Sequence, residues 1–199
     1  MKTAMMRTIK LGAALILGLG LAACASTPDT ADRGAAAAAI AELSLDIRQV
    51  RVTVPETLTV SEANVYSPRA DIVWREDPPG DRRAQVRAIV ENALGRGIEG
   101  LPRGKVPAML DVQVTRFHAL TQKTRYTVGG THAIHFTYVL RDARTGEILT
   151  EPRAVDASFR ALGGQEAIEA ESKGITQKVR ITQHLANVIR RELGGDPAS

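Results

Sequence analysis

Four histidines and one cysteine are the side chains best suited to metal binding or nucleophilic chemistry in this sequence. A structural zinc site needs three or four convergent ligands, and the spacing of His118, His132, His135 and His184 does not supply them. His132 and His135 stand three apart in a segment of strand periodicity, so their side chains leave on opposite faces. His118 can lie across from one of them, which makes a pair at most. Surface or hydrogen-bonded histidines are therefore expected, with no metal and no other cofactor. The nucleophile patterns G-x-S-x-G, S-x-x-K and H-E-x-x-H do not occur. Asp142 and Glu147 flank a turn, and Asp111 and Asp156 fall on strand patterns without a recognisable partner. Gly95, Gly97 and Gly100 match the dinucleotide-binding G-x-G-x-x-G, but that motif works between a strand and the start of a helix. Here it follows a helical pattern and leads into Leu101-Pro102, so it reads as a helix end and loop. No catalytic residue is expected, and the chain is not expected to be an enzyme.

The cysteine has a different context. Lys2, Arg7 and Lys10 precede an apolar run over residues 11–21, too short for a hydrocarbon core that needs roughly 20 apolar residues. A basic start, a short apolar run and small residues describe a secretory signal peptide. Leu21-Ala22-Ala23-Cys24 resembles the lipobox of bacterial lipoproteins. That resemblance implies cleavage before Cys24, lipidation (palmitate among the acyl groups) and a membrane-held mature chain. Ala25, rather than Asp, follows the cysteine. By the same resemblance this places the protein at the outer membrane, facing the periplasm. Cys24 is the only cysteine, so a lipid on its sulfur leaves no thiolate for catalysis, metal binding or a disulfide.

The whole sequence has 26 basic and 22 acidic side chains, for a net charge of +4. The first 23 residues hold three of the bases and none of the acids, which leaves +1 for the remainder. The arginines are scattered rather than gathered in a stripe, so nucleic acid is not an expected partner. Residues 24–42 lack apolar periodicity and are expected to form a flexible tether, with a reach of roughly 50 Å when extended. A single periplasmic domain is expected over 43–195, with a frayed tail at 196–199.

Within that domain Val50, Val52 and Val54 alternate as a strand, and residues 71–75 form a second candidate that stops at Asp77-Pro-Pro-Gly80. Asp81 can cap a helix whose apolar positions are Val86, Ile89, Val90, Ala93 and Leu94. Leu110, Val112 and Val114 share one parity while Phe117 takes the other, which predicts a bulge near Thr115 and Arg116. Ile134, Phe136, Tyr138 and Leu140 alternate cleanly, and a hairpin over 142–146 returns the chain through 148–159. A last helix opens at Gly163-Gly164, with a kink or later start at Gly174. Its stripe is Ile175, Val179, Thr182, Ala186, Ile189 and Leu193. Val50, Ile175 and Val179 are expected in the core. The fold class is α+β: an antiparallel-rich sheet in β-α-β-β-β-α order, with two amphipathic helices packed on one face.

The stretches Ala-Asp-Ile-Val-Trp at 70–74 and Arg-Tyr-Thr-Val-Gly-Gly at 125–130 are similar to those of an uncharacterised family of Gram-negative envelope lipoproteins. The layout is also similar to that of the auxiliary lipoproteins of ABC-type lipid transporters. These resemblances imply architecture and address, not activity. The 120–130 connection is long for a hairpin and offers Lys123, Arg125 and Tyr126 beside a flexible diglycine, the expected interaction surface. The expected role is a docking or accessory component of an envelope assembly or transport system, with a protein partner. The alternative is a periplasmic small-ligand-binding or catalytic module.

Overall fold

The computed structural model describes residue 38 and residues 40–194. The expected signal peptide, Cys24, most of the tether and the frayed tail lie outside the described residues. Ten elements follow in order: β1 (Leu45–Thr53), β2 (Ile72–Val73), α1 (Arg82–Ile98), β3 (Val106–His118), α2 (Gln122–Arg125), β4 (Gly130–Asp142), β5 (Arg153–Asp156), β6 (Phe159–Ala161), α3 (Gly164–Ser172) and α4 (Gln177–Gly194). The class is α+β, as expected. Among the described residues no helix is long and apolar enough to cross a membrane.

β3 is the central strand. On one edge it pairs antiparallel with β4, and on the other it pairs in parallel with β1 and, further along, with β2. A parallel pair needs a long crossover, and α1 supplies it. The apolar alternation sets the β3–β4 register: Leu110 faces Leu140, Val112 faces Tyr138, Val114 faces Phe136 and Phe117 faces Ile134. All eight are buried. The change of parity occurs at a bulge between Val114 and Arg116, where the sequence predicts it. The returning strand breaks into β5 and β6, with Pro152 just ahead of β5. Proline cannot donate to a ladder, and β5 is an edge strand.

α1 and α4 bury Val86, Ile89, Val90, Ala93 and Leu94 from one side and Ile181, Leu185, Val188, Ile189 and Leu193 from the other. Asp81 caps α1 by accepting from the Ala84 amide at 3.0 Å. Two expectations fail in this layer. The glycines at 95 and 97 do not end α1, which runs through them to Ile98. Gly97 lies where the helices touch: a Cβ there would stand 2.7 Å from the Ala186 carbonyl oxygen. The later start expected at Gly174 is present: α3 ends at Ser172 and α4 starts at Gln177. Its buried stripe is set by Ile181 and Leu185, which leaves Ile175 and Val179 exposed rather than in the core. Val50 is half-buried at the sheet edge.

The two helical glycines give opposite expectations. Gly95 has open space where a side chain would go, so Gly95→Ala should stabilise by about 0.5–1 kcal/mol through helix propensity. Gly97→Ala must push α1 off α4 and should cost on the order of 1–3 kcal/mol. Urea unfolding of both variants measures the difference.

Candidate functional site

The connection from β3 to β4 is shaped by threonines. The Thr121 hydroxyl caps α2, accepting from the Thr124 amide at 3.2 Å. The same hydroxyl donates to the Val65 carbonyl at 2.8 Å, and the Thr124 hydroxyl donates to the Tyr66 carbonyl at 2.7 Å. Asn64 accepts the Lys123 amide proton at 2.9 Å. Segment 61–66, which sequence reasoning missed, is thus fastened along α2. Its only sequence signal is an aromatic residue, Tyr66, in a polar loop. Lys123 Nζ sits 4.5 Å from the centre of the Tyr66 ring, a cation–π contact. Tyr66 (53% exposed), Tyr126 (44%) and Val128 (74%) stand out on this surface.

Of the three residues named from the sequence, Lys123 and Tyr126 are at the surface and Arg125 is not. Arg125 is 7% exposed. Its guanidinium spans Glu76 Oε2 at 2.9 Å and Glu171 Oε1 at 2.8 Å. Tyr126 Oη donates to the same Glu171 oxygen at 3.3 Å. Glu76 in turn accepts the Lys178 amide proton at 3.1 and 3.2 Å in the first turn of α4. The neighbouring Asp77 takes Lys178 Nζ at 2.8 Å and the Trp74 indole N–H at 2.8 Å. Although burial raises the Asp77 pKa, these two donors outweigh it and hold the carboxyl below its ordinary value. Nor is the diglycine free. Gly129 adopts φ +71° and donates to the Thr124 carbonyl at 2.9 Å, with its backbone pressed against Gly163.

The histidines divide as their strand parity requires. His135 is half-exposed near Asp156, 3.4 Å away. His132 is 2% exposed, contrary to the expected surface or hydrogen-bonded setting, and its Nδ1 has no protein partner among the described residues. It packs on Phe159 at 4.9 Å, which also stacks on His184 at 4.1 Å and carries the Arg180 guanidinium 5.4 Å from its ring centre. Burial above all, then the Arg180 and Arg125 charges, pushes His132 down to about 3. The adjoining cavity, reached by Arg125, Gln177 and Arg180, measures about 10 Å³, room for one water. His118 pairs with Arg116 at 2.8 Å. Among the described residues no group of three or more His, Cys, Asp or Glu is placed to hold a metal.

A family of unknown function (DUF6778) is matched over residues 45–199, and the chain belongs to that family. No curated protein matches the chain. It is similar to a solved Xanthomonas campestris protein of family DUF330, at 11% identity over 76% of this chain and 81% of that one, with a TM-score of 0.41. A minor lipoprotein of Acinetobacter baumannii is similar at 16% identity, 73% and 91% coverage, and a TM-score of 0.34. The PelC dodecamer of Paraburkholderia phytofirmans is similar at 17% identity, 75% and 91% coverage, and a TM-score of 0.27.

Because Arg125 leaves two carboxylates behind when removed, Arg125→Ala should cost about 2–4 kcal/mol. Lys123→Ala, on the exposed side of the same turn, should change stability by less than about 1 kcal/mol. Thermal and urea unfolding compare the two. Folded His132 refuses a proton that the unfolded chain accepts near the ordinary value of 6.5. The stability tied to it is therefore complete above about pH 6.5 and falls as pH drops toward 3, with about 2 kcal/mol lost by pH 5. Replacing His132 with Phe should flatten the loss measured between pH 7 and 5.

Proposed function

We propose that this member of DUF6778 is a non-catalytic docking domain of the bacterial cell envelope, lipidated at Cys24 and held at the outer membrane facing the periplasm. The anchor is supported by the sequence around Cys24, with its basic start, short apolar run and two small residues ahead of the only cysteine. The observation that carries the docking role is the rigid cluster of Tyr66, Lys123, Tyr126 and Val128. Exposed aromatics held in fixed positions bind with little loss of side-chain entropy, and tyrosine is a favoured interface anchor. Arg125 acts beneath this surface, fixing the turn that presents it.

The placement of the cluster also fits. The described chain enters beside the first residues of β1, and Leu45 pairs with Val106 at the start of β3. The cluster follows the other end of β3, thirteen residues on. At about 3.3 Å per residue the two ends are some 40 Å apart. A domain tethered at one end would present the cluster away from the membrane, toward a protein partner in an envelope assembly or transport system.

Two measurements test this reading. Cys24→Ser should leave either a precursor uncleaved before residue 24 or a soluble chain; cleavage at the same bond together with membrane retention would remove the anchor. A Tyr66→Ala, Lys123→Ala, Tyr126→Ala variant should keep its melting temperature within a few degrees, since the changes lie at the surface. It should lose the envelope protein that cross-links to the parent chain. Full retention of that partner would remove the cluster as the docking surface.

A further inference from the structure

The opposite end of the domain has a chemistry of its own. α1 and α4 run in the same direction, from the Asp77 and Lys178 contact to the close approach at Gly97 and Ile189. Both C-termini therefore lie where the chain enters. Leu101 and Gly194 line the same cavity there, and a Cβ on Gly194 would stand 3.3 Å from Leu101 Cδ2. Ile40, Leu45, Leu101, Pro102, Arg103 and Leu193 line an apolar cavity of about 220 Å³. Five exposed cations belong to this end of the domain: Arg103, which lines the cavity, Lys105 in the same loop to β3, Arg96 near the end of α1 and Arg190 facing the groove between α1 and α4, and Arg191 in the last turns of α4. The nearby acids offset them in part and leave a small positive excess. Asp46 is paired with Arg48 at 2.7 Å, and Glu192 is buried against Arg153 at 2.6 Å. Glu42 and Glu99 are exposed, Glu91 shares a cavity lining with Arg103, and the β4–β5 turn carries Asp142 and Glu147 against Arg144. Leu43, 42% exposed, adds an apolar side chain to this basic end.

We propose that this end of the domain is a seat for an anionic lipid surface, an inference that rests on the anchor at Cys24 proposed above. The position of the chain entry selects the partner. Ile40 is sixteen residues from Cys24, so the entry point stays within about 55 Å of the anchored sulfur. Of the two ends of the sheet, the basic one is the end to which the anchor is joined. Lys and Arg side chains within a Debye length of phosphate headgroups gain free energy cumulatively, so five of them hold a domain that one would not. The apolar cavity beside Leu43 and Pro102 lies at the depth where headgroups give way to acyl chains in such a docked arrangement. Seating this end down turns Tyr66 and Tyr126 outward.

The test uses the chain from residue 24 onward with Cys24→Ser. It keeps every core side chain, since the core begins at Leu45, and it has no lipid to bind membranes by itself. At low ionic strength it should sediment with phosphatidylglycerol vesicles roughly tenfold more than with phosphatidylcholine vesicles, and about 0.5 M salt should release it. Replacing Arg96, Arg103, Arg190 and Arg191 with Gln should abolish the preference, whereas Lys123→Gln at the far end should leave it intact. If the fourfold variant melts early, the loop pair Arg103→Gln and Lys105→Gln should still lower binding severalfold, because neither residue lies in a helix or strand. Equal sedimentation with the two vesicle types, or full binding by the variants, overturns the proposal. The anchor is read separately, from the mass of the natively produced protein at Cys24, so the failure of either idea is recognisable.

Discussion

β3 is hydrogen-bonded along both edges, to β4 on one side and to β1 and then β2 on the other, so its register constrains every neighbour at once. A one-residue slip against β4 would turn Ile134, Phe136, Tyr138 and Leu140 away from the core. The bulge at Thr115 keeps the register consistent with burial on both sides of it. Before the bulge β3 buries Leu110, Val112 and Val114, and after it Phe117, which meets Trp74 edge-to-face at 5.8 Å. Because β2 pairs with the residues just past the bulge, Trp74, Arg75, Glu76 and Asp77 are delivered to the end of the sheet where α2 forms. The polar cluster there is thus a consequence of where the central strand changes face.

That cluster ties together four pieces of chain remote in sequence. Glu76 alone joins the segment after β2 to α2 through Arg125 and to α4 through the Lys178 amide. Arg82, buried at the start of α1, reaches Glu62 at 2.5 Å, and Glu62 also faces Arg75. Arg75 exchanges hydrogen bonds with Gln122 at 2.7 and 3.0 Å. Replacing such a network by apolar side chains need not destabilise a fold, whereas removing one member leaves the others uncompensated. Its direct structural effect is to fasten segment 61–66 and the connection after β3 to the start of α1 and to α4.

The parts legible in the sequence are those where burial imposes a period. The alternation from Ile134 to Leu140 and the parity change at Phe117 follow from side-chain geometry alone, and both appear as expected. Helix boundaries were harder to read where contacts override local preference. Gly95 and Gly97 look like a helix end because glycine disfavours helices, yet α1 runs through both, and Gly97 alone of the two meets α4, close to Ala186. Ile175 and Val179 join the stripe by spacing, but a helix starting at Gln177 turns its buried face toward Ile181 and Leu185. Arg125 was the least legible residue. A lone arginine in a polar loop reads as solvated, and its partners Glu76 and Glu171 come from segments far away in the chain. His132 is similar: its parity was readable, but its burial depends on Phe159 arriving from β6.

The parallel pairing of β1 with β3 has a mechanical side. Tension between the chain entry and α2 would enter through the first residues of β1 and leave past the last residues of β3. These strands share eight register pairs and run along the line of pull. The force would act on their hydrogen bonds side by side, in shear, instead of opening them one at a time. Arg51 and Asp111 bridge the same two strands through two hydrogen bonds at 2.9 and 2.7 Å, and Arg141 of β4 takes the same carboxylate at 2.7 Å. Pulled from the edge, β1 would peel. Pulled along its axis, it is a clamp.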